Sequence, residues 1–170
     1  VIQFLFLLLY KRHFYDALKN VLLILFTQIF LIATAHFIFY NFPEWSWMIP
    51  YAILPVILVA FLDAGIAIIV HLITVLILGF FAPNSFTFFY TEFAAGLIAV
   101  FTVRDLSKRA DLFRTSLSVF LTYMVVYFSL LLVQDGSLDN FSTTFVTYLA
   151  GSAVLLLLAF PIIFIYEKVF

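Results

Sequence analysis

Long runs of apolar side chains, broken only where charges or clusters of Pro, Asn and Gly fall together, divide this chain into seven segments: 1–10, 20–40, 45–62, 64–81, 86–103, 112–133 and 141–166. A helix needs about 20 mainly apolar residues to cross roughly 30 Å of hydrocarbon, and all of these runs but the first approach or reach that length. The stretch from Trp45 to Phe81 is about twice one crossing, and a single charge, Asp63, followed by Ala64-Gly65, divides it. The last run is the longest, and its surplus length predicts a tilt. The first is too short to span and reads as the inner part of a helix that starts before residue 1. Strands of a closed barrel would alternate polar and apolar positions, whereas these runs are apolar all round. The pattern therefore predicts an all-α integral membrane protein: one domain over 1–170, a bundle of seven transmembrane helices with the first truncated, cut from a larger chain.

Composition agrees. Of the 170 residues 66% are hydrophobic and only 10% charged, and mean hydropathy is +1.24. A soluble domain carries about 25% charged residues, so this chain could not cover itself with a wettable surface. The eight Lys and Arg are all placed on alternate loops: Lys11, Arg12 and Lys19, then Arg104, Lys108, Arg109 and Arg114, then Lys168. The other loops carry Glu44, no charge at 82–85, and Asp135 with Asp139. Short cationic loops stay in the cytoplasm, which predicts an inner-membrane protein with its C-terminus cytoplasmic. Seven passes, including the split at Asp63, are what bring every cation to one side. Trp45 and Trp47 then fall at the outer interface, and Tyr10, Phe14 and Tyr15 at the inner one. The formal charge of −1 offers no basic excess for nucleic acid. With no cysteine there is neither a disulfide nor a thiolate metal site, and three scattered histidines make a poor metal cage.

Ionisable residues at membrane depth are costly and usually face the bundle interior. His36, His71 and Glu92 stand out as a candidate intramembrane polar pocket. At 1.5 Å per residue, His36 lies about 6 Å and Glu92 about 9 Å in from the outer ends of their helices, while His71 is near the midplane. A carboxylate at that depth must take up a proton or find a cation. Similar depth makes His36 the expected partner of Glu92, through a direct or water-bridged hydrogen bond in a pocket opening outward, with segment 20–40 packed against 86–103 or facing it across a shared cavity. The bland alternatives are snorkelling to the interface for His36 and Glu92, and a plain interhelical hydrogen bond for His71.

Thr27, Gln28 and Thr34 read as interhelical polar contacts, and Ala94-Ala95-Gly96 with Ala99, and Thr147 with Gly151-Ser152-Ala153, as patches for close helix approach. Pro50, Pro55 and Pro161 predict kinks. The chain shows no Gly-rich phosphate loop, nucleophile elbow or HExxH. No catalytic residue, metal ligand or cofactor is expected within it.

One set of short motifs resembles the membrane region of the bacterial seven-transmembrane HD-domain hydrolases. These are Ile49-Pro50 opening a span, Leu62-Asp63 before Ala64-Gly65-Ile66-Ala67, the Gly96 helix running into Arg104, Arg109-Ala110-Asp111-Leu112, and a final Pro161 helix closing on Glu167-Lys168-Val169-Phe170. The resemblance is carried by 45–170 and extends loosely over the whole chain. Pro50, Asp63, Arg104, Arg109 and Glu167 are its architectural matches. It implies a sensor and transmission domain that relays an extracytoplasmic signal to a cytoplasmic HD domain hydrolysing cyclic di-AMP with His and Asp metal ligands. Those ligands have no counterparts in this sequence. The implied partners are the lipid bilayer, an extracytoplasmic domain and the HD domain in the same chain, with room for a homodimer. The competing reading is a small-molecule-binding membrane subunit, an uptake component or rod-shape type of protein, or a small transporter.

Overall fold

The computed structural model describes residues 3, 5, 9, 18–103, 109–134 and 136–169. Most of segment 1–10, together with Tyr10, Lys11, Arg12, Phe14, Tyr15, Arg104, Lys108 and Asp135, lies outside them, as does the side chain of Arg109. The described chain is helical, with no strand among the described residues. Its elements are α1 (Leu18–Asn41), a 3-10 segment (Pro43–Met48), α2 (Ile53–Phe61), α3 (Ala64–Gly79), α4 (Ser85–Thr102), α5 (Arg109–Gln134), α6 (Thr143–Leu155), a 3-10 turn (Leu156–Leu158) and α7 (Ala159–Val169). Five helical stretches are long and apolar enough to cross a membrane: Leu18–Asn41, Pro43–Phe61, Ser85–Thr102, Ala110–Gln134 and Thr143–Val169. Ala64–Gly79 is a shorter apolar helix.

Two of the expected spanning helices are broken. Segment 45–62 is not one kinked helix: the 3-10 segment gives way to extended backbone at Ile49 (φ −69°, ψ 128°) before α2 begins. Pro50 occupies that break, and Pro55 falls in the first turn of α2, where a missing N–H leaves no helical bond unmade. In the last pass Pro161 cannot donate to Leu157, and the chain tightens into the 3-10 turn just before it. Asp63 lies between α2 and α3 and caps the latter, its carboxylate accepting the N–H groups of Gly65 and Ile66. Ser142 caps α6 by accepting from Phe145 N (3.2 Å), while its own N–H reaches Tyr127 Oη on α5 (2.8 Å).

Ile53 to Leu58 of α2 are all buried, and this short helix packs against α1, α3, α4 and α7. It is the central rod. The bundle is inside-out by the standards of a soluble protein. Phe113, Leu117, Leu121 and Val125 of α5 are exposed along one stripe, whereas Thr115, Ser116 and Tyr123 of the same helix are buried. So wide an apolar exterior suits acyl chains and not water.

Candidate functional site

Glu92 is fully buried on α4, on the face that also carries Phe88, Ala95, Gly96 and Ala99. The small residues let the neighbouring helices come close, so the carboxylate projects into a crowded junction. Tyr123 Oη of α5 donates to Glu92 Oε2 at 3.0 Å. The same hydroxyl lies 3.3 Å from Ser152 Oγ of α6, and Ser152 Oγ donates to the carbonyl of Ile49 at 3.0 Å. That carbonyl, in the stretch unwound at Ile49-Pro50, also accepts from Tyr51 N at 3.0 Å. From α3, His71 Nε2 donates to the backbone carbonyl of Glu92 at 2.9 Å. Its imidazole lies over Gly96, where a Cβ would overlap the ring. Two atoms in this junction, Glu92 Oε1 and His71 Nδ1, are buried and have no hydrogen-bond partner among the described residues.

A second polar strand ties in α1. Gln28 Nε2 donates to Thr74 Oγ1 at 2.9 Å, and Thr74 lies one turn along α3 from His71. Thr27 Oγ1 bonds the carbonyl of Leu23 (2.7 Å) and approaches Tyr166 Oη of α7 (3.4 Å). Polar groups from every described pass thus meet in the interior, where they bond one another in place of water.

One turn before Glu92 on α4, Phe88 is buried among aromatic rings. Its centroid is 5.8 Å from Phe39, 6.0 Å from Trp47 and 5.0 Å from Tyr51, and Phe145 continues the layer at 4.9 Å from Trp47. Tyr51 Oη is engaged with the carbonyl of Ser46 (3.0 Å). These rings close the side of the junction toward the N-terminal end of α4.

The structure brings together two of the three candidate residues, Glu92 and His71, through the backbone of one and the ring of the other. His36 is not among them. It is exposed on the lipid-facing side of α1, its ring edge-on to Phe81 at 5.3 Å. The expected Glu92–His36 pair is therefore replaced by Glu92–Tyr123, and the expected outward-opening pocket by a sealed junction. α1 and α4 meet through the Phe39–Phe88 contact, while α3 packs against both. Tyr123 and Ser152 complete the junction, and the sequence pattern singles out neither as a partner: Ser152 sits in a small-residue patch and Tyr123 inside the apolar run 112–133. The available signal was that Tyr123 shares a helical stripe with Thr115, Ser116, Val119 and Tyr127, the polar side of an otherwise lipid-facing helix.

Of the architectural residues, Pro50 lies in the break before α2, Asp63 caps α3, Arg109 opens α5 and Glu167 is exposed near the end of α7. Arg104 lies outside the described residues. The small-residue patches hold side chains: Gly96 accommodates His71, and Gly151 accommodates Met48, whose nearest atom is 3.1 Å from where a Cβ would be. Among the described residues no group of three His, Cys, Asp or Glu side chains could hold a metal ion.

A family model described as 7TM receptor with intracellular HD hydrolase matches residues 1–170. No curated protein and no solved structure matches the chain.

Proposed function

Since the chain belongs to the family of 7TM receptors with an intracellular HD hydrolase, we propose that it is the membrane module through which an extracytoplasmic signal sets the activity of a cytoplasmic HD phosphodiesterase, with cyclic di-AMP as that domain's substrate. The observation that carries this reading is the junction at Glu92. Ile49, His71, Glu92, Tyr123 and Ser152 come from five successive helical passes and form one hydrogen-bonded chain. A signal that repositions one pass must break or re-form bonds to the others. Packed helices of this kind settle into discrete arrangements and do not deform smoothly, so a small change near the outer face becomes a helix displacement at the inner one. The bacterial inner membrane, with both the basic loops and the C-terminus in the cytoplasm, is the setting this reading requires. Hydrolysis belongs to the linked domain; these 170 residues transmit.

The test uses the full-length protein, HD domain included, in lipid nanodiscs. Glu92→Gln and Tyr123→Phe change the junction without touching the hydrolase. Both are expected to alter the rate of cyclic di-AMP hydrolysis by about 5-fold or more, the size of an ordinary allosteric coupling. Wild-type rates in both correctly folded variants would overturn the relay.

A further inference from the structure

The side-chain contacts at the Glu92 junction run in a line, and each needs one hydrogen. Glu92 Oε2 lies 3.0 Å from Tyr123 Oη, Tyr123 Oη lies 3.3 Å from Ser152 Oγ, and Ser152 Oγ lies 3.0 Å from the Ile49 carbonyl oxygen. The carbonyl has no hydrogen to give, so Ser152 donates to it, and Tyr123 must then donate to Ser152 if that contact is to be a hydrogen bond. An ionised Glu92 claims the Tyr123 hydrogen for itself and leaves two hydroxyl oxygens facing each other with none between them. A neutral Glu92 supplies the missing one: it donates to Tyr123, Tyr123 to Ser152 and Ser152 to Ile49, and every contact in the line is filled.

The charges around Glu92 favour the same state. The titratable groups that face it are His71 from α3, Tyr51 from the stretch before α2 and Tyr123 from α5. α2 itself carries none, and α6 meets the junction through Ser152. His71 Nε2 donates to the Glu92 backbone carbonyl while Nδ1 is buried without a partner among the described residues, so a charged ring would bury an unsatisfied N–H, and the imidazole is neutral. Among the described residues nothing at the junction balances a negative charge, and a buried charge without its counter-charge is strongly destabilising. Glu92 Oε1, buried and likewise without a partner among the described residues, costs far less as the carbonyl of an acid than as half of a carboxylate.

We propose that Glu92 is a proton-binding site: in the assembled bundle it is a neutral carboxylic acid, and its proton completes the hydrogen-bonded line from α4 through Tyr123 and Ser152 to the Ile49 stretch. Loss of that proton to solvent base leaves a carboxylate, which turns the Tyr123 hydroxyl back toward itself. The Glu92–Tyr123 link then survives, while the Tyr123–Ser152 contact is left without a hydrogen. One proton thereby decides whether Ser152 and the Ile49 stretch are tied to Glu92. This deepens the relay reading and rests on it for its consequence, since gain or loss of the proton would make or break a link between passes. The protonation itself is read without any hydrolase activity.

The full-length protein is placed in nanodiscs of ether-linked lipid, which has no ester carbonyl to mask the band, and infrared spectra are recorded near neutral pH. Glu92→Gln cannot ionise, and its amide brings a second hydrogen, so it reports on the titration without copying the native junction. The wild-type spectrum minus that of Glu92→Gln should show the C=O stretch of a protonated carboxyl group; a difference showing only carboxylate bands overturns the proposal. Tyr123→Phe removes the acceptor of the proton, so the same band should move to higher frequency. If Glu92→Gln does not fold, Tyr123→Phe decides alone, and an unmoved band in it contradicts the site. A second reading comes from stability. Folding takes up a proton wherever the unfolded carboxyl is ionised, above about pH 4.3, so stability falls as pH rises. Between about pH 5 and 7 the wild-type unfolding equilibrium constant should grow by up to about tenfold per pH unit relative to that of Glu92→Gln. The same pH dependence in both proteins would also overturn the proposal. Either failure leaves the hydrolysis test of the relay standing.

Discussion

Glu92 is a carboxylate inside an apolar run, and rotation about the helix axis, more than depth, decides what such a group meets. His36 has the right depth and the wrong rotation. Along α1 the exposed positions Phe26, Ile29, Phe30, Ala33, His36, Phe37 and Tyr40 form one stripe, while Thr27, Gln28, Leu31 and Ala35 form the buried one. In lipid the bulky aromatic stripe faces out and the small or polar stripe faces in, so His36 belongs with the rings. The same rule groups Glu92 with Ala95, Gly96 and Ala99, and His71 with Ala67 and Thr74, which is where the structure places them. The rotation was hidden because each run is apolar all round, and the stripes differ in size more than in hydrophobicity. The fit of His71 over Gly96 makes a sharp prediction. Gly96→Ala should cost about 1–3 kcal/mol by overpacking, read as a lowered thermal midpoint in detergent, and His71→Ala in the same chain should recover most of the loss. A Gly96→Ala protein as stable as the wild type would mean that the imidazole is elsewhere.

At the scale of elements, the number of apolar runs and the break beside Asp63 were legible because 45–81 is too long for one crossing. How the break is made was not: a capping carboxylate between two helices looks, in sequence, like any lone charge. Nor could the prolines be read beyond a kink. Pro50 and Pro161 each coincide with a change from α to tighter or extended backbone, and at the first of these the Ile49 carbonyl leaves the helical pattern and accepts from Tyr51 N and Ser152 Oγ. That carbonyl belongs to tertiary context, which no local pattern reports. The cap has its own measurable weight. Asp63→Ala should destabilise the bundle by about 1 kcal/mol, and Asp63→Asn, which still accepts from the N–H groups of Gly65 and Ile66, by much less. Equal losses in thermal unfolding would assign Asp63 a role other than capping.

For the whole molecule, the all-α membrane class followed from run length and hydropathy. The family followed from a handful of short motifs and is shown by a match over the full 170 residues. The relay account stands on the two faces of the bundle being different, with the acidic and uncharged loops outside and the end that continues toward the hydrolase inside. Because the chain has no cysteine, single cysteines can be introduced one at a time. Ser46, though central between α1 and α2, is a poor site since it is buried and bonded to the Pro43 carbonyl. Glu44, Ser85 and Leu138 are exposed, as is Lys168 at the opposite end. In intact cells an impermeant thiol reagent should label cysteines at Glu44, Ser85 and Leu138 and leave one at Lys168 untouched until the membrane is opened. Labelling at Lys168 with protection of the other three would put the hydrolase side outside and contradict the account.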